Sequence, residues 1–205
     1  MNWARSILTA VLLLLAAGPT PAADHDPSVI IKTTAGRVMD MLNAQRGYYI
    51  DHPEELNHVV EHEVLPIFDL IYAARLILGR HGRGASEQQL QDFASAMSQL
   101  LISRYSDGVL QFQSKDQLEV LPLVGKNTDR LTRVRTRVRL ENGSRAPVDY
   151  AFRRTEGQWK VFDVTVEGIS YITTYRNQIG PQVQQDGIDN VTEKLRGGKI
   201  TLNEG

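Results

Sequence analysis

Residues 130–140 read RLTRVRTRVRL, and their alternation decides the fold class. Val134, Thr136, Val138 and Leu140 fall on one side of an extended chain, and Arg133, Arg135, Arg137 and Arg139 fall on the other. A helix would scatter such a pattern around its whole circumference, whereas a strand sorts it into one core face and one polar face. The same period continues on either side, in LEVLPL (118–123), PVDYAFRRT (147–155) and WKVFDVTVE (159–167). Glu141-Asn142-Gly143 and Glu156-Gly157 supply turns between the runs. Turns this short predict an antiparallel meander of about four strands over 116–167.

Outside this block the apolar spacing is helical. Ile31, Val38, Met41 and Leu42 mark a long amphipathic helix over 28–50. Pro53 suits a first helical position, with Glu54 and Glu55 in the first turn; Leu56, Val60, Val64 and Ile67 form its apolar stripe until Pro66 interrupts it. DLIYAARLIL (69–78) is apolar on most sides and stops at Gly79, as a buried helix with a glycine end would. Ser86 with Gln89 forms a capping box for a helix running to Tyr105 or beyond. After the sheet, Gly168 ends the strands, and Ile169, Ile172, Tyr175 and Ile179 predict a helix that Pro181 breaks or kinks. A last helix over 187–196 stops at Gly197-Gly198. The expected class is α+β: a curved antiparallel sheet packed against several helices, an NTF2-like cone with a helical subdomain.

The first residues, MNWARSILTAVLLLLAAGPTPAAD, predict a compartment. Arg5 is the basic n-region, Ile7 to Gly18 the apolar h-region, and Thr20-Pro21-Ala22-Ala23 offers small residues for cleavage. About a dozen apolar residues are too few to span a bilayer, which takes roughly 20. We expect a cleaved signal peptide over 1–23, export to the periplasm, and one α+β domain over 24–200 (helices 28–113, sheet 116–167, C-terminal helices 169–196). Loss of Arg5 leaves 22 Lys and Arg against 24 Asp and Glu, a balance that does not fit nucleic-acid binding. The chain has no cysteine, which rules out thiolate catalysis, disulfides, cysteine zinc sites and a lipoprotein anchor.

No set of residues assembles a reaction. His58-Val-Val-Glu61-His62 matches the H-x-x-E-H metal signature, yet His58 lies far around the helix from Leu56, so both histidines are expected on the solvated face with no metal bound. His81 stands in a glycine-rich loop without a nucleophile, and Gly79 to Gly84 lacks the Lys-Ser/Thr end of a phosphate loop. Asp163 reads either as a buried acid, as in small cone-shaped isomerases, or as the partner of a nearby Arg or Tyr. The Arg ladder reads either as a solvated face balanced by Asp149, Asp163 and Glu167, or as a basic patch for an acidic partner or anionic headgroups.

At the junction of sheet and helix, WKVFDVTVEGISYITTYRNQI (159–179) resembles the signature of the MlaC-type periplasmic phospholipid-binding proteins, the toluene-tolerance auxiliary family. ILGRHGRGAS (77–86), Val148-Asp149-Tyr150 and Gly187-Ile188-Asp189 agree in order, so the resemblance covers essentially the whole mature chain. Thr174 departs from the family's frequent Asn, and the Arg ladder lies outside the motifs that carry the resemblance. The resemblance implies a carrier that is not an enzyme and needs no cofactor. Such a protein holds phospholipid acyl chains between sheet and helices. It passes them between an outer-membrane lipoprotein–porin complex and an inner-membrane MCE-domain ABC transporter, maintaining outer-membrane asymmetry. A monomer is expected. Inward-facing positions place the slot walls at Leu76, Met97, Leu101, Val138, Phe152, Phe162, Val164, Ile169 and Ile172. Three alternatives stay open: a small periplasmic NTF2-like enzyme using Asp163 and a tyrosine, a structural or scaffolding partner with a filled core, and a carrier for another lipid such as a hopanoid.

Overall fold

The alternating runs pair in chain order. In the computed structural model, which describes residues 26–123 and 127–202, β1 (Leu118–Val120), β2 (Leu131–Arg139), β3 (Arg145–Thr155), β4 (Gln158–Val166) and β5 (Ile169–Ser170) form one antiparallel sheet ordered β1-β2-β3-β4-β5. The proposed signal peptide and its cleavage site lie outside the described residues. On β2, Val134 and Thr136 are fully buried and the ladder arginines point away from them. The β3–β4 turn has positive φ at both central residues, Glu156 (51°) and Gly157 (77°), the primed geometry that matches strand twist.

The sheet has a fifth strand where a helix start was expected. Glu167 (φ 51°) and Gly168 (φ 87°) repeat the same tight turn, so Ile169 returns antiparallel to Val166 instead of opening a helix. A register shift between Ala151 and Phe152 gives β4 one extra residue, Phe162. Its effect is to change which residues of β4 face the core. Val161 packs beside Phe152 in the inner cluster, and beyond the bulge Val164 takes the inner position opposite Tyr150.

The helices are α1 (Pro27–Asp51), α2 (Pro53–Glu63), α3 (Leu70–Leu78), α4 (Glu87–Val109), α5 (Tyr171–Asp186) and α6 (Ile188–Arg196), with single 3-10 turns at Leu65–Ile67, Gly79–Gly82 and Lys115–Gln117. Short-range chemistry sets most of their ends. Asp26 caps α1 by accepting from the Ser28 amide, and Asp69 caps α3 by accepting from the Tyr72 amide. The Ser86–Gln89 capping box opens α4 from both sides. Gly79 stops α3 at φ 54°. α1 is bent at Gln45, whose φ of −142° leaves the helical region. Pro181, by contrast, does not end α5: the helix runs through it to Asp186, held on both sides by buried Ile179 and Val183.

Three apolar clusters result among the described residues. α3, α4, α5 and α6 bury Ile77, Leu78, Phe93, Met97, Ile179, Val191 and Leu195 among themselves. α1 and α2 bury Val38, Met39, Leu42, Leu56 and Val59. The inner face of the sheet buries Val134, Phe152 and Val161 against Ile31 of α1. No helix among the described residues is long and apolar enough to cross a membrane.

Candidate functional site: an apolar cavity under the first helix

The apolar stripe of α1 crosses the inner face of the sheet without filling the space beneath it. Ile31, Thr34, Ala35, Val38 and Met39 of α1 form one wall of a cavity of about 420 Å³. Val64, Ile67 and Phe68, in the segment joining α2 to α3, form the second wall, and Val109 and Phe112 at the end of α4 form the third. Leu118, Val138 and Tyr150 of the sheet make the floor. Gly36 also lines it, and a methyl group added there would meet no atom within 4 Å. Polar ties hold the walls. Arg37 pairs with Glu63 at 2.6 Å, tying α1 to α2, and Arg46 donates to the carbonyls of Leu110 and Phe112 at 2.6 Å each. The Arg46 contacts satisfy carbonyls left free where α4 ends.

Most of this lining can offer only dispersion contacts and freedom from water. Tyr150 is the titratable group on the floor, and burial pushes its phenol up to about 12, so it stays neutral near neutral pH.

The nine residues placed on the slot by sequence are dispersed. Val138 lies in the cavity wall. Phe152 is fully buried in the inner sheet cluster and Val164 packs against it. Met97 and Ile172 belong to the core of the α3–α6 bundle, with Leu76 and Leu101 packed on it. The bulge turns Phe162 toward α3, where its ring meets Tyr72 edge-on at 5.3 Å. Ile169, on β5, is 41% exposed. Sequence reading therefore missed the α1 wall, Phe68 and Phe112, although the stripe through Ile31 and Val38 was the signal that could have located the first of these.

The other candidates have local structural work. Asp163 accepts from the Ser170 hydroxyl at 2.7 Å and the Ile172 amide at 3.1 Å, anchoring the start of α5. Its partners are thus a serine and a backbone amide, where an Arg or Tyr had been expected. His58 and His62 are exposed on α2, with stacked rings 6.3 Å apart, and His58 lies 3.5 Å from Glu61. His81 accepts from Arg80 and packs against Gly180. In the Arg ladder, Arg133 reaches Asp149 at 3.5 Å, while Glu119 is paired with Arg145 at 2.9 Å. Arg135, Arg137 and Arg139 have no carboxylate partner among the described residues.

Comparison with known proteins matches this architecture to one family. The model of the family described as MlaC protein matches residues 32–197. The chain is 26% identical over 197 residues to the intermembrane phospholipid transport system binding protein MlaC of Haemophilus influenzae, covering 93% of this chain and 90% of that protein. It is also 26% identical over 181 residues to the toluene tolerance protein ttg2D of Pseudomonas putida, covering 87% and 83%. The fold superposes with a TM-score of 0.70 on a phospholipid-binding protein from Ralstonia solanacearum solved in complex with a phospholipid, at 21% identity, over 83% of this chain and 98% of that one. Because the family match spans all six described helices but for the first residues of α1, together with the whole described sheet, the chain belongs to the MlaC family.

Proposed function

We propose that this protein is a periplasmic phospholipid carrier that holds acyl chain in the cavity beneath α1 and performs no reaction. The observation that carries the proposal is an apolar, unfilled space of about 420 Å³ that is partly open to solvent. Each methylene kept from water is worth roughly 0.8 kcal/mol, so a chain with about 14 buried methylenes needs about 11 kcal/mol of shelter. A cavity floored by the sheet and roofed by α1 provides that shelter. Relatives named for phospholipid transport and phospholipid binding support the same reading. The local role of Asp163, whose carboxylate accepts from the Ser170 hydroxyl and the Ile172 amide at the start of α5, is consistent with it. Exchange between an outer-membrane lipoprotein–porin complex and an inner-membrane MCE-domain ABC transporter completes the proposal, with the leader over 1–23 directing export.

Native mass spectrometry of the mature protein, purified from the periplasm without detergent, tests it. We expect phospholipid adducts that disappear in Val138→Trp and Gly36→Trp. A wild-type protein that emerges free of lipid, and takes none up from phospholipid vesicles, would refute the proposal.

A further inference from the structure

Among the described residues that line the cavity, only Lys32 and Lys115 are exposed. Every other described lining residue is buried or half-buried, so the apolar space meets water at these two. Both are cations. Their aliphatic stems continue the apolar wall, and their ammonium groups can reach solvent at the rim. Lys32 has no acidic partner among the described residues. Lys115 is held 2.6 Å from Asp40 of α1, a carboxylate that is 66% exposed and therefore screened and readily exchanged for another anion.

We propose that Lys32 and Lys115 form a phosphate-recognition site at the cavity mouth, engaging the phosphodiester of a lipid whose acyl chain lies inside. This inference rests on the carrier reading and adds the residues that meet the phosphate. An acyl chain that fills the cavity leaves its polar end at the rim, and in a phospholipid the phosphodiester is joined to the chains through glycerol alone. Ammonium groups there make charge-assisted hydrogen bonds to phosphate oxygens, which an uncharged lipid with the same chains cannot accept in that form. Asp40 competes with the phosphate for Lys115.

The test loads delipidated protein from mixed micelles holding equal amounts of phosphatidylglycerol and diacylglycerol with the same chains. Native mass spectrometry then gives the occupancy ratio of the two. We expect the wild type to favour phosphatidylglycerol about tenfold more strongly than Lys32→Gln/Lys115→Gln, at about fivefold or less per cation near a solvated surface. Lys32→Arg/Lys115→Arg should keep the wild-type ratio. Asp40→Asn should raise it, an opposite sign that general damage to α1 would not produce. Equal ratios in wild type and the Gln variant, with both lipids still bound, would overturn the phosphate site and leave the carrier reading standing. A wild type that loads neither lipid would overturn the carrier reading, and the site with it.

Discussion

The α3–α6 bundle and the space between α1 and the sheet are lined by the same kinds of residue, yet only one of them is full. In the bundle, Phe93, Leu78, Ile179 and Leu195 are sealed from solvent and interlock. Under α1, Val138, Met39, Phe68 and Phe112 surround about 420 Å³ that none of them occupies. Protein interiors normally pack as densely as organic crystals, and an unfilled apolar space forfeits contacts that its walls would otherwise make. The full region supports the fold, and the hollow one is available for a ligand. Apolar composition does not separate the two roles; fit does.

The largest effect that would sharpen this contrast comes from emptying the full region. Phe93→Ala should destabilise the protein by about 3–5 kcal/mol in urea denaturation, because the surrounding bundle cannot collapse onto the void. Lipid bound per folded molecule should be unchanged. A loss of lipid at full folding would show that the bundle shares in the ligand site.

Alkaline pH should reach both regions. Tyr150, on the cavity floor, is pushed up to about 12 by burial, and Tyr175, in the bundle, is pushed well above the ordinary phenol range by burial and by the Tyr105 hydroxyl 3.2 Å away. The folded state therefore keeps protons that the unfolded chain releases near pH 10. These two tyrosines leave stability unchanged below pH 10 and lower it above, by about 1.4 kcal/mol per pH unit for each; for Tyr150 the loss levels off near pH 12. Urea titrations from pH 9 to 12 should show a shallower loss for Tyr150→Phe than for the wild type.

Overfilling separates the regions directly. Val164→Trp crowds the closed cluster around Phe152 and should cost about 1–3 kcal/mol, whereas Val138→Trp enters open space and should cost the delipidated protein less than about 1 kcal/mol. Thermal unfolding of delipidated samples reads the difference. Equal penalties would mean that Val138 is packed like Val164 and that the cavity closes without lipid.

The smallest expected change is a gain. Gly36→Ala places a methyl group in space with no neighbour within 4 Å, in the middle of α1, and should stabilise by about 0.5–1 kcal/mol through helix propensity. Lipid binding should persist, since one methyl occupies little of the cavity. A loss of stability would show that another group closes on that space in solution.

Local chemistry made much of this molecule legible. The Ser86–Gln89 box, Pro53 opening α2, Gly79 closing α3 and the Glu156-Gly157 turn all act over four residues or fewer, and each stands where the sequence puts it. The alternation of 130–140 assigned β2 a core face and an arginine face because strand geometry leaves no other arrangement. The motif at 159–179 carried the family.

Tertiary structure decided the rest, for one physical reason: periodicity tells which way a side chain points, never what stands opposite it. A single bulge at Phe162 broke the alternation that had grouped Phe162 with Val164. Pairing with Val166 drew Ile169 into a strand, and packing on both sides carried α5 through Pro181. Whether an apolar face meets a partner or a void depends on how α1 rests across a sheet roughly a hundred residues away in the chain, and that contact placed the cavity at Val138 and Met39 rather than at Met97 and Ile172.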